Sequence, residues 1–305
     1  MGVSTDPVTT ERLSTARWVR PLAWATLVAN IGIVVTGGAV RLTGSGLGCP
    51  TWPRCTEESF RPHGELTFHA AIEFGNRMLT FVLVAIAILT FIVMWRTGRR
   101  DLRGMALVTA LGIPAQALIG GVTVLTDLNP WVVSLHLLVS MAIIGVSVRL
   151  LLAVTGPLGP AQRGPAVWLA WATFAVAWAV LYVGTVVTGS GPHAGDIETE
   201  RNGLDPVHIS QVHADLVFLF VGLTIGLLLM LMAVDRPTAR RAVLVLLAVE
   251  VSQGGIGFVQ YYTDLPEVLV GLHMLGAALI SACVTWALLE VRHPERRRAA
   301  PATSP

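Results

Sequence analysis

The sequence predicts an all-α integral membrane protein made of eight transmembrane helices arranged as two tandem four-helix bundles. Three observations carry that prediction. The chain of 305 residues is 53% hydrophobic and only 13% charged, about half the charged fraction of a soluble domain. Eight apolar stretches are each long enough to cross a bilayer, which takes roughly 20 residues. The chain also matches itself at an offset of 137 residues.

The expected spans are 21–40, 70–95, 104–125, 131–153, 166–188, 208–234, 242–262 and 267–290. Residues 1–20 are polar and hold Arg12, Arg17 and Arg20. They do not read as a cleavable signal peptide, so the first span is expected to stay as an anchor. The self-match pairs Gln116 with Gln253, Ile119 with Ile256, Gly120 with Gly257, Thr126-Asp127-Leu128 with Thr263-Asp264-Leu265, and Leu135-His136 with Leu272-His273. It also carries Asn76 onto His213. Thr43-Gly44-Ser45-Gly46 recurs as Thr188-Gly189-Ser190-Gly191 at an offset of 145, which implies an indel in the first loop. A unit of four spans is even, so the two halves should run in parallel rather than inverted. The Gly- and Pro-rich stretch 154–165 reads as the linker. The expected domains are therefore 1–155 and 156–305, each a bundle able to hold a group between facing helices.

Every basic residue is arginine. Arg41, Arg54, Arg61, Arg77 and Arg201 lie on one side of the predicted spans, and the other sixteen, including Arg296, Arg297 and Arg298, on the opposite side. The excess marks the cytoplasmic face. Both termini should be cytoplasmic in a cell membrane, with loops 41–69 and 189–207 facing outward. Cys49 and Cys55 lie in the first of these loops, where oxidising conditions allow a disulfide; a pair of free thiols is the other reading. Cys283 reads as a buried packing thiol.

Polar side chains inside apolar spans are costly and point to function. His213 and His273 fall at similar depth on two helices of the second half. Such a pair suits the two axial positions of a haem iron, a closed arrangement fit for electron transfer. In the first half His136 takes the place of His273, but Asn76 takes the place of His213. A neutral amide is a poor iron ligand, so a haem there keeps one strong ligand and an open position. His69, Glu73 and Asn76 share one helical face. Ser210 and Ala214 stand in the second half where the first has Glu73 and Arg77. Arg77 can pair with Glu73 or meet a carboxylate of the ligand, and His69 reads as a solvated histidine near the membrane surface, with a substitute for the missing histidine as its other reading. His63 and His208 read as surface histidines, His193 as a loop histidine able to cap a site, and His293 as part of the cytoplasmic tail. Gln116 and Gln253 are candidates for interhelical hydrogen bonds. Glu250 has no evident partner.

These features together resemble the haem A synthase family over residues 21–290. The residues that carry the resemblance are Gly37 to Gly46 followed by Cys49 and Cys55; Ile72-Glu73-Phe74-Gly75-Asn76-Arg77; Leu135-His136; Thr188 to Asp196; and His213 and His273. The resemblance implies oxidation of the C8 methyl of haem O to a formyl group by successive hydroxylations. It implies a haem b in the second half on His213 and His273, and substrate haem O in the first half near His136, Asn76, Arg77 and His69. It further implies a catalytic carboxylate at Glu73 and a disulfide between Cys49 and Cys55. Expected partners are haem O synthase, the cytochrome oxidase assembly pathway, an electron donor and a second copy of the chain; nucleic acid is not among them. Two departures stand out. The family often has Glu-x-x-His-Arg where this chain has Asn76, and some members carry a second cysteine pair that is absent between Thr188 and Pro206. The competing readings are a di-haem b-type cytochrome serving a quinone, and a haem transporter or chaperone.

Overall fold

A computed structural model describes residues 7–62, 67–156, 158–193, 195–196 and 198–293, with the backbone alone for 7–16. His63, Arg296, Arg297 and Arg298, and the side chain of Arg12, lie outside the described residues. Among the described residues there are eight helices: α1 Pro7–Leu42, α2 Phe68–Arg96, α3 Arg100–Leu125, α4 Pro130–Val154, α5 Pro165–Ser190, α6 Pro206–Ala233, α7 Pro237–Tyr262 and α8 Glu267–Arg292. All eight are long and apolar enough to cross a membrane. Helix α1 begins well before the expected first span. Hydropathy marks only the part that sits in lipid, and the polar segment before it continues the same helix through Pro21.

The helix starts follow from local chemistry. Pro130, Pro165, Pro206 and Pro237 stand at the first helical positions, where a missing N–H costs nothing and φ is already helical. The side chains of Asn129 and Asp205 accept from the Trp131 and Val207 amides, and Thr67 accepts from Ala70, which satisfies otherwise orphaned donors.

Helices α1–α4 pack as a closed ring (α1 on α2, α2 on α3, α3 on α4, α4 on α1), and α5–α8 pack in the same cyclic order. The rings join where α4 meets α8 and α5, and where α1 meets α8. Each ring has its own apolar core, one around Leu27, Met94, Met141 and Ile144, the other around Phe220, Leu227, Val243 and Leu246. The α4–α8 seam is close. Ser281 Oγ donates to the Met141 carbonyl at 2.8 Å, and Gly145 faces Thr285. Small residues let membrane helices approach when burial of apolar surface gives no drive of its own.

The α3–α4 and α7–α8 turns have the same backbone. Asp127 and Leu128 have φ of 49° and 59°, and Asp264 and Leu265 both have 56°. The Leu128 amide donates to Thr123 and the Leu265 amide to Gln260, at 2.8 and 3.1 Å. Two successive left-handed non-glycine residues are uncommon; here they turn the chain sharply just before the helices that bear His136 and His273.

Candidate functional site

His213 lies seven residues into α6 and His273 six residues into α8, so both sit about 10 Å below the end that carries the 43–67 loop. Their rings face each other with centroids 6.5 Å apart and planes at 65°. Each ring packs on a glycine of the preceding helix. A Cβ on Gly184 of α5 would lie 3.1 Å from His213 Cε1, and one on Gly257 of α7 would lie 3.6 Å from His273 Cε1. Both Nδ1 atoms are buried without a hydrogen-bond partner.

That spacing fits a shared iron. Two metal–nitrogen bonds of about 2 Å, each followed by roughly 1 Å to the ring centre, put the centroids about 6 Å apart. Two imidazoles converging from two helices at equal depth match the donor set that a bis-histidine haem would need.

His136 repeats half of this geometry. Its ring packs on Gly120 of α3, where a Cβ would lie 3.2 Å from Cε1, and its Nδ1 is also buried and unpartnered. Gln116 Nε2 donates to the His136 carbonyl at 2.8 Å and contacts Ser140 Oγ. This meets the expectation that Gln116 ties α3 to α4. Gln253 differs: it packs against Gly276, with its Oε1 buried and unpartnered. At the position matching His213, Asn76 Oδ1 accepts from Thr36 Oγ1 at 2.8 Å, which binds α2 to α1.

The loop after α1 roofs this first site. A disulfide joins Cys49 and Cys55. Glu73 is buried. Its Oε2 accepts from the Cys49 amide at 2.6 Å, and its Oε1 accepts from Arg77 Nε at 3.0 Å. The Arg77 guanidinium also donates to the carbonyls of Cys49, Thr51 and Arg54. The two side chains therefore form an ion pair that holds the disulfide loop by its backbone. Of the two partners open to Arg77, the structure has it on Glu73. Trp52 of the loop lies directly on Gly121, the neighbour of the glycine beneath His136. Gly48 runs so close to the His69 backbone that a Cβ would be 2.6 Å from its carbonyl; only glycine permits that approach. The roles of Trp52, Gly121, Gly184 and Gly48 were not visible in the sequence, where the recurrence of Gly120 as Gly257 was the one available hint.

The two halves also meet at this end. Gly46 N donates to Gly195 O at 2.9 Å, Arg41 Nε to His193 O at 2.6 Å, and Arg41 Nη2 to Thr188 O at 3.0 Å. A cavity of about 590 Å³ opens here, lined by Arg41, His69, His193, Asp196 and Arg201 among others. His69 Nδ1 pairs with Ser45 Oγ at 3.0 Å, and His193 Nε2 with Leu265 O at 2.9 Å. His193 thus links two loops and lines the cavity rather than standing free. His208 is exposed at the start of α6. His293 ends α8 and bonds the Gly159 carbonyl of the linker at 2.7 Å.

Residues 20–195 match the family described as cytochrome oxidase assembly protein. Curated relatives carry the name Heme A synthase. One from Lysinibacillus sphaericus is 34% identical over 128 residues, covering 40% of this chain and 41% of the relative. One from Listeria innocua is 33% identical over 123 residues, covering 39% and 40%. One from Geobacillus thermodenitrificans is 30% identical over 133 residues, covering 42% and 41%. The matched segment spans about two fifths of these relatives' length.

Proposed function

The chain belongs to the cytochrome oxidase assembly protein family, and from that premise we propose that it is a haem A synthase. Its reaction in this reading is oxidation of the C8 methyl of haem O to a formyl group through hydroxylated intermediates. One observation carries the reading: two imidazole positions of equal depth, one where His213 faces His273, the other where His136 has an asparagine at the matching position in a bundle that buries Glu73. The relatives named Heme A synthase support it.

His213 and His273 would hold haem b, with Gly184 and Gly257 giving their rings room. When bound, that group would supply one-electron transfer. In the first bundle His136 orients the substrate haem O, and Gln116 braces the backbone of His136. Asn76, held by Thr36, leaves the second face of the substrate without a strong ligand. His69, further along the same face of α2, is the imidazole that can substitute there. Glu73 is the proposed catalytic carboxylate: it holds a proton or steadies positive charge as it develops at the methyl carbon. The Cys49 amide and Arg77 fix it in place beforehand, which is the form in which electrostatic help costs least at the moment of reaction. Trp52 and the disulfide loop keep water from the reacting methyl. The arginine distribution supports cytoplasmic termini and an outward-facing loop end. The matching turns and histidine–glycine contacts support an origin by tandem duplication.

The test is co-expression with a haem O synthase followed by extraction of the pigments. Haem A is the expected product. Recovery of haem O alone from cells that contain the folded protein would sink the proposal.

A further inference from the structure

The buried polar groups of the second bundle do not end at the histidines. Glu250, Gln253 and Gly257 share one face of α7 at spacings of three and four. Gly257 lies against His273, and Glu250 is two turns deeper, about 10 Å along the axis. Glu250 is 3% exposed. Its Oε1 accepts from Thr224 Oγ1 of α6 at 2.8 Å, while its Oε2 is buried with no partner. From α8, Cys283 lies within electrostatic range. That face of α8 continues one way through Gly276, on which Gln253 packs, to His273. The other way it reaches Glu290, which accepts from Trp286 Nε1 at 3.0 Å. On α7 itself, Arg240 and Arg241 lie more than two turns away at its start. Neither ion pair found among the described residues includes Glu250. The corresponding first-half residues are Ile113 and Ala87, so the Glu250–Thr224 pair belongs to the second bundle alone.

A carboxylate in such a place is sustained in two ways: it carries a proton, or a positive charge lies close by. Oxidised iron in a dianionic porphyrin ring held by two neutral imidazoles carries one net positive charge, and the reduced form carries none. We propose that Glu250 is the proton-exchange site that balances the electron on the haem held by His213 and His273. The proposal rests on the reading that these histidines hold a haem. With the iron oxidised, Glu250 is the carboxylate counter-ion. A one-electron reductant then delivers one electron to the iron, and the Glu250 Oε2 binds one proton from the aqueous phase. The net charge of the bundle is unchanged. Reoxidation releases both. Thr224 keeps the carboxyl turned into the bundle in either state.

The experiment is a redox titration of the full-length, haem-loaded protein at several pH values around neutrality. The midpoint potential of the wild type falls as pH rises, with a slope below the limit of about 59 mV per tenfold change in proton concentration for a one-electron couple. Glu250→Gln keeps the shape and the Thr224 bond, and its potential becomes independent of pH while the optical spectrum stays unchanged. The reduced-minus-oxidised infrared spectrum shows a protonated carboxyl band in the wild type that is missing from the variant. A flat wild-type potential overturns the proposal, as does the same slope and the same band in Glu250→Gln. If Glu250→Gln does not fold, the wild-type slope and carboxyl band decide alone, and absence of either overturns it. Failure of the underlying reading is distinguishable, because the wild type then has no bis-imidazole haem spectrum to titrate.

Discussion

In the second bundle His273 meets His213 across 6.5 Å; in the first, the equivalent His136 has no such partner among the described residues, and Asn76 is bonded to Thr36 instead. The scaffolds around them are alike. Both have the same cyclic packing, the same left-handed turn before the histidine helix and a glycine beneath the ring. The differences lie in a few side chains and one loop. The first bundle has the Glu73–Arg77 pair, which holds a disulfide loop and sets Trp52 on Gly121. The second has Ser210 and Ala214 at those positions, and buries Glu250 deep among the helices instead. In the proposed reading a common frame carries a closed electron site and a substrate site, because side-chain identity changes with one residue while helix packing does not.

The largest effect that would break this comparison comes from His273→Ala. It removes one of two facing imidazoles, so the bis-imidazole spectrum of purified protein should vanish, whereas His136→Ala should leave it intact and abolish haem A. Equal spectral loss in both variants would erase the distinction between the halves. Asn76→His is next and makes the first bundle imitate the second. Absorption spectra should gain a second bis-imidazole haem while haem A yield drops at least tenfold; an unchanged yield would show that the amide does not matter.

Cys49→Ser should act on the first half alone. The ring it opens is small, with a sequence separation of 6, so the loss of loop order is about 2 kcal/mol. Haem A yield should fall several-fold with an unaltered second-half spectrum, and a changed spectrum would count against separate sites. The smallest effect separates two glycines. Gly184→Ala brings a methyl to 3.1 Å from the His213 ring and should destabilise haem retention by about 1 kcal/mol. Gly257→Ala makes only an ordinary 3.6 Å contact and should stay within about 0.5 kcal/mol. Competition for the bound haem by an apo-acceptor protein measures both.

Much of the frame was legible in the sequence. The expected spans agree with the helices within a few residues except at α1, because lipid selects apolar runs of fixed length and proline marks the starts of α4 to α7. His136, His213 and His273 stood out as imidazoles in apolar surroundings. The second partner of Glu73 did not, because a backbone amide at Cys49 leaves no trace in side-chain identity. Trp52 looked like any loop aromatic until the loop was seen folded onto α3. Thr224 lies 26 residues before Glu250 and on another helix, so no periodic pattern connects them.

The sequence by itself determined the class of protein, its eight crossings and the correspondence of His136 with His273. These depend on transfer of side chains from water to lipid and on residue identity, both local properties. Only the tertiary structure decided that His213 and His273 face each other, that Glu73 and Arg77 grip the disulfide loop, and that Glu250 is left with one oxygen unpaired. Those outcomes depend on how distant helix surfaces meet and on which backbone groups they bring with them, and neither is written in the order of residues along one helix.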